Sequence, residues 1–180
     1  MSSLPFQGGS AFAQRGGDSI VIFGGENGTN PYTNGFFQLQ QTGDTFTWQA
    51  LEQQNPPPGV TYGQAIVSNT GSTFLLMGGL SQSALNQSSP LQMYSYNFES
   101  KTWGAWGGNT NTNATNVPVN RQRFTATYDN GTNVYIFGGG SLDNTAIYDD
   151  FYKLDTGKME FTALPNPGQQ RYGHTASMLR

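Results

Sequence analysis

Val134-Tyr135-Ile136-Phe137-Gly138-Gly139 is a short apolar run closed by a glycine pair. The chain carries the same pattern at Ile20-Val21-Ile22-Phe23-Gly24-Gly25 and Phe74-Leu75-Leu76-Met77-Gly78-Gly79. The pairs lie 54 and then 60 residues apart. Spacing of that order marks a repeat architecture, in which each unit buries its apolar face only by stacking on a neighbour. Working outward, each pair is followed by an aromatic-rich stretch, residues 35–40, 91–97 and 150–155. A further stretch then carries one large aromatic: Trp48, Trp103 and, in the third unit, Phe161. Upstream of each pair lies one more short segment, residues 10–14, 62–68 and 123–128.

Each unit therefore reads as four short strands in sequence order. Asp129-Asn130-Gly131-Thr132 joins the first two strands of the third unit. An Asn-Gly pair between apolar runs signals a tight hairpin because both residues tolerate positive φ. No segment sustains a 3.6-residue apolar period over helical length, so the expected class is all-β.

An apolar strand ending in Gly-Gly, then a Tyr-rich strand, then a Trp seven to nine residues beyond resembles the kelch repeat. Arg171-Tyr172-Gly173-His174 resembles the Arg-x-Gly-His opening of a kelch unit, with Tyr62-Gly63-Gln64 and Arg123-Phe124-Thr125 as weaker copies. The resemblance covers residues 10–178; Phe161 in place of Trp and the segment 10–14 depart from the pattern. It implies a β-propeller of four-stranded antiparallel blades, first strand at the axis and fourth at the rim. The blades would span 10–51, 62–106 and 123–164 after an N-terminal segment 1–9, and 171–180 would open a fourth. It further implies that Gly24, Gly25, Gly78, Gly79, Gly138 and Gly139 let strand two leave a crowded hub. Trp48, Trp103 and Phe161 would pack between neighbouring blades. Loops 26–34, 80–90 and 140–148 would share one face with the blade connections 52–61, 107–122 and 165–170. Long loops on a rigid scaffold are where binding concentrates.

Composition excludes several function classes. Asn and Gln number 31 against 19 charged residues, and the net charge is −3, so the basic footprint that nucleic acid requires is missing. With no cysteine there is neither a disulfide framework nor a thiolate metal site. No apolar run approaches the ~20 residues of a membrane span, and Met1–Phe6 lacks the basic start and apolar stretch of a signal peptide.

Few residues are candidates for chemistry. His174 is the sole histidine, and with no cysteine a transition-metal site around it is short of ligands; its plain role is to complete an axial strand. Arg123 and Arg171, with Arg121 nearby, occupy similar positions at the starts of axial strands. With His174 they are candidates to line a binding site at the channel mouth, the arginines to grip a carboxylate, against the plainer role of bonding hub carbonyls or carboxylates. Asp143, Asp149, Asp150 and Asp155 do not match the spacing of an EF-hand, and Asp149-Asp150 suits a turn into strand three. Gly138-Gly139-Gly140 lacks the Gly-Lys-Ser/Thr ending of a phosphate loop. No complete catalytic constellation is present, and no cofactor is expected.

Four Asn-x-Ser/Thr sequons, at Asn27, Asn86, Asn113 and Asn130, fall in expected loops. With the low charge and the Asn/Thr tract at 109–116, they resemble secreted or cell-surface kelch proteins of fungi and favour that placement over a cytoplasmic one. The expected function is a scaffold binding a protein or glycan through the long-loop face. The alternative is part of a galactose oxidase-like copper radical oxidase whose ligands lie outside this stretch. Propellers close with about 4–8 blades. Three blades and one strand therefore point either to a fragment of a longer protein or to two copies assembling into one ring.

Overall fold

A computed structural model describes residues 8–82, 89–106 and 116–179. Asn86, Asn113, residues 1–7 of the N-terminal segment and parts of loops 80–90 and 107–122 lie outside these, as does Arg180.

Twelve strands form three separate four-stranded sheets. The first holds β1 (Ala11–Arg15), β2 (Ser19–Phe23), β3 (Phe36–Thr42) and β4 (Thr45–Ala50). The second holds β5 (Gln64–Val67), β6 (Thr73–Met77), β7 (Met93–Asn97) and β8 (Thr102–Ala105). The third holds β9 (Thr125–Tyr128), β10 (Asn133–Phe137), β11 (Phe151–Asp155) and β12 (Glu160–Leu164). Within each sheet the strands pair antiparallel in sequence order, as the alternating apolar runs and tight turns require. No described residue is helical. The innermost strand β5 lies against both β1 and β9, so the sheets fan around an axis without closing a ring among the described residues.

Two-residue periodicity places alternate side chains on opposite sheet faces. In the first blade Ala11, Ala13, Val21, Phe23 and Phe36 face the second blade, meeting Phe74, Leu76, Tyr96 and Trp103 in one cluster. In the second blade Ile66, Leu75, Met77 and Met93 face the third, meeting Val134, Ile136, Leu154 and Phe161. Each blade thus has a leading face toward its successor and a trailing face toward its predecessor. Trp103, opposite Tyr96 in the ladder, is 3% exposed and packs 5.0 Å from Phe23 and 5.1 Å from Phe36 across the blade boundary. Its indole Nε1 donates to Gln53 Oε1 at 2.9 Å.

Two expectations need correction. Trp48 holds the register of Trp103, opposite Leu39, but it lies on the trailing face of the first blade and is only half-buried. Among the described residues no blade stands opposite this face of it. Residues 171–179 form no strand, because no described segment offers them a ladder partner.

The glycine pairs stand where successive blades cross. All six glycines have positive φ. A Cβ on Gly24 would meet Val60 O at 2.2 Å, one on Gly78 would meet Arg121 O at 2.7 Å, and one on Gly138 would meet Arg171 O at 2.6 Å. The carbonyls belong to the lead-in segment of the next blade, and they also accept the second glycine's N–H: Gly25, Gly79 and Gly139 donate to Val60, Arg121 and Arg171, each at 2.7 Å. The pair is needed twice over, for backbone conformation and for close approach.

Candidate functional site

Each lead-in segment reaches the axis through one residue in the left-handed region: Gly9 (φ 65), Tyr62 (φ 57), Arg123 (φ 53) and Gly173 (φ 63). Tyr62 N donates to Gly9 O at 2.7 Å, Arg123 N to Tyr62 O at 2.9 Å, and Gly173 N to Arg123 O at 2.7 Å. The four residues form a hydrogen-bonded arc around the hub. Two are glycine, which takes this conformation freely. The other two carry side chains at a cost of about 1–2 kcal/mol each.

Those two side chains are joined. The Arg123 guanidinium lies 4.1 Å from the centroid of the Tyr62 ring, a cation–π contact, and Tyr62 Oη donates to Glu26 Oε1 at 2.7 Å. The hydrogen bond to Glu26 raises the Tyr62 pKa, aided by burial and the Glu26 charge and opposed by Arg123. Arg123 Nε is buried without a hydrogen-bond partner, a cost that the hub carries beside the cation–π contact.

Arg123 borders two hollows. The first, of about 340 Å³, is walled by Gln122, Asn144, Ile147 and Tyr172. Ile147 is 39% and Tyr172 53% exposed, so the cleft joins an apolar rim to a cationic and amide floor. Gln122 Nε2 is fixed by Ser141 O and Asn144 Oδ1, both at 3.0 Å, while its Oε1 has no partner. The second hollow, of about 270 Å³, lies at the axis between Ser10, Tyr62, Gln64, Arg123 and His174. The loops after the glycine pairs open on this same side, since Glu26, Leu80 and Gly140 bridge back to the lead-in residues Gly8, Thr61 and Gln122.

The remaining candidates separate. Arg121 is a hub strut: its side chain has no exposed surface, Nη1 donates to Gly138 O at 3.0 Å, and Nη2 donates to Asp150 Oδ2 at 2.8 Å. Its guanidinium also lies 4.5 Å from the Tyr148 ring. Asp150 therefore neutralises Arg121 rather than shaping a turn. Arg171 is exposed, its Nη2 on Gln169 Oε1, and borders neither hollow. The Arg123–Arg171 equivalence is thereby corrected: the carbonyls of Arg121 and Arg171 take the matching bond, and Arg123 matches Gly173. The signal was present in the sequence, because Arg121-Gln122-Arg123-Phe124-Thr125-Ala126 aligns with Arg171-Tyr172-Gly173-His174-Thr175-Ala176 in Arg, Thr and Ala. Tyr62 and Glu26 escaped sequence reading because only the positive φ at Tyr62 brings them to the hub.

His174 Nε2 lies 3.1 Å from Thr125 Oγ1, its ring meets Phe137 edge-on at 5.3 Å, and its Nδ1 is buried without a partner. Burial, then the Arg171 charge, lowers its pKa. Asp143 accepts from Ser141 Oγ and Thr145 N, and Asp155 from Gly157 N and Lys158 N, so both brace turns. Among the described residues no three His, Cys, Asp or Glu side chains gather. Asn27 is half-buried, its Oδ1 accepting from Thr29 and Asn30 within its own turn; Asn130 is exposed in the turn before β10.

A family model described as the KLHDC2/KLHL20/DRC7 Kelch-repeats domain matches residues 3–180 of this chain.

Proposed function

This chain belongs to the kelch-repeat family, whose domains generally serve as protein-interaction scaffolds, and we propose that its partner docks on the long-loop face around Arg123. The observation that carries this reading is the strained pair itself. Where flanking blades use Gly9 and Gly173, the chain holds Tyr62 and Arg123 at positive φ and stacks one on the other. Strain kept at a hub that opens into a cleft is a mark of function. The chemistry favours a peptide segment with an acidic side chain on Arg123 and an apolar neighbour between Ile147 and Tyr172.

Selection from a displayed random-peptide library tests this. The expected result is enrichment of Asp- or Glu-containing peptides, with binding lost in Arg123→Gly, which suits the backbone and preserves the fold. No enrichment, or binding indifferent to Arg123→Gly and Ile147→Asp, overturns the reading.

A further inference from the structure

The hub keeps two opposite charges apart in a chain that carries few charges. Arg121 meets Asp150 directly, yet among the described residues Glu26 and Arg123 enter no ion pair. Tyr62 stands between them, with the Arg123 guanidinium 4.1 Å over its ring and its Oη donating to Glu26 Oε1 at 2.7 Å. All three are held in place. Glu26 exchanges backbone hydrogen bonds with Gly8, each at 2.8 Å, and a Cβ on Gly9 would meet Tyr62 Cε1 at 2.7 Å. Glu26 follows β2, Tyr62 leads into β5 and Arg123 leads into β9, so each described blade supplies one member of the set. Glu26 Oε2 and both Nη atoms of Arg123 make no hydrogen bond among the described residues. Unlike Arg123 Nε, they are not shut off from solvent.

Given the partner site around Arg123, on which this rests, we infer that Glu26 is its second charged contact and that the bound peptide carries a basic residue as well as an acidic one. The acid takes the Arg123 Nη groups and the base takes Glu26 Oε2, each through a charge-assisted hydrogen bond. Tyr62 sets the spacing. It holds the two charges too far apart to neutralise each other, at a separation that suits alternate side chains of an extended peptide, about 7 Å. The cleft beside Ile147 and Tyr172 belongs to the third blade and Glu26 to the first, with Arg123 between them. The peptide therefore places its apolar residue on one side of the acid and its base two positions away on the other, read in either chain direction. A segment with a second acid at that spacing sets like charge against Glu26, and one with a neutral residue leaves Glu26 unpaired. Glu26 thus discriminates among acidic segments rather than adding general affinity.

The test repeats the displayed-peptide selection on the 180-residue chain, on Glu26→Gln, whose amide oxygen still accepts from Tyr62, and on Glu26→Lys. The parent chain is expected to enrich Lys or Arg two positions from the acid. Glu26→Gln keeps the acid and loses that preference, and Glu26→Lys exchanges the basic residue for a second acid. A selected peptide whose lysine is replaced by methionine should bind the parent chain about tenfold more weakly and Glu26→Gln by less than about twofold, the difference expected for one charge-assisted hydrogen bond. If circular dichroism shows the variants unfolded, the lysine-to-methionine loss on the parent chain decides alone, and no loss overturns the inference. Acidic enrichment without the base, or an equal loss on the parent chain and on Glu26→Gln, also overturns it while the Arg123 site stands. Absence of any acidic enrichment removes the Arg123 reading and this one with it.

Discussion

The side chain of Arg121, wholly shielded from solvent, donates through Nη2 to Asp150 Oδ2 at 2.8 Å and through Nη1 to Gly138 O at 3.0 Å. One guanidinium thereby ties the lead-in to the third blade, the glycine pair of that blade and the start of β11. Removing the carboxylate strands a buried charge, a change that typically costs about 3–5 kcal/mol. Asp150→Ala is expected to lower the urea unfolding free energy by that amount. The double variant Arg121→Met/Asp150→Leu, which leaves no charge unpaired, is expected to lose far less. Equal losses in the two would refute the explanation.

Trp103 and Trp48 share a register but differ in setting, so their truncation separates blade packing from strand propensity. Trp103→Ala empties a site ringed by Phe23, Phe36, Phe74 and Tyr96 and is expected to cost about 3–5 kcal/mol. Trp48→Ala, on a half-exposed face, is expected to cost under about 2 kcal/mol. Comparable thermal melting of the two variants would count against the boundary described here.

The glycines divide by what surrounds them. Gly24→Ala combines positive φ with a carbonyl 2.2 Å from the new methyl, and its expected cost is about 3 kcal/mol or more. Gly16 also has positive φ but nothing within 4 Å, so Gly16→Ala should cost only about 1–2 kcal/mol. Gly104, with negative φ and open space, should accept Ala with a change within about 1 kcal/mol. Chemical denaturation of the three variants checks this order.

His174 gives the fold an acid sensitivity of known sign. Burial and the Arg171 charge disfavour its imidazolium, so the folded pKa lies below the ordinary 6.5. Stability from the neutral ring against Thr125 and Phe137 is complete above pH 6.5 and is lost as pH falls through the folded pKa. As the sole histidine, it gives an unambiguous proton NMR titration. The expected midpoint is below 6.5, and His174→Gln should flatten the loss of stability between pH 7 and 5. A midpoint at or above 6.5 would refute the burial described.

What the sequence determined by itself was local and periodic. Three apolar runs ending in Gly-Gly, each followed by an aromatic strand, required four-strand units, because two-residue alternation and tight turns are properties of neighbouring residues. The same pattern singled out Trp48, Trp103 and Phe161 as the aromatics for the blade boundaries. Tertiary structure alone decided which of these are covered: Trp48 and Trp103 read alike, but burial depends on whether another blade stands opposite. It also decided the hub. Arg121, Arg123 and Arg171 are chemically identical, yet Arg121 is a strut buried against Asp150 and Gly138, Arg123, two residues on, stacks over Tyr62, and Arg171, in the place equivalent to Arg121, is solvent-exposed where no described blade packs round it. The stacking of Arg123 on Tyr62 needs positive φ at both, held by the hydrogen bonds each blade makes to the next rather than by the residues beside them.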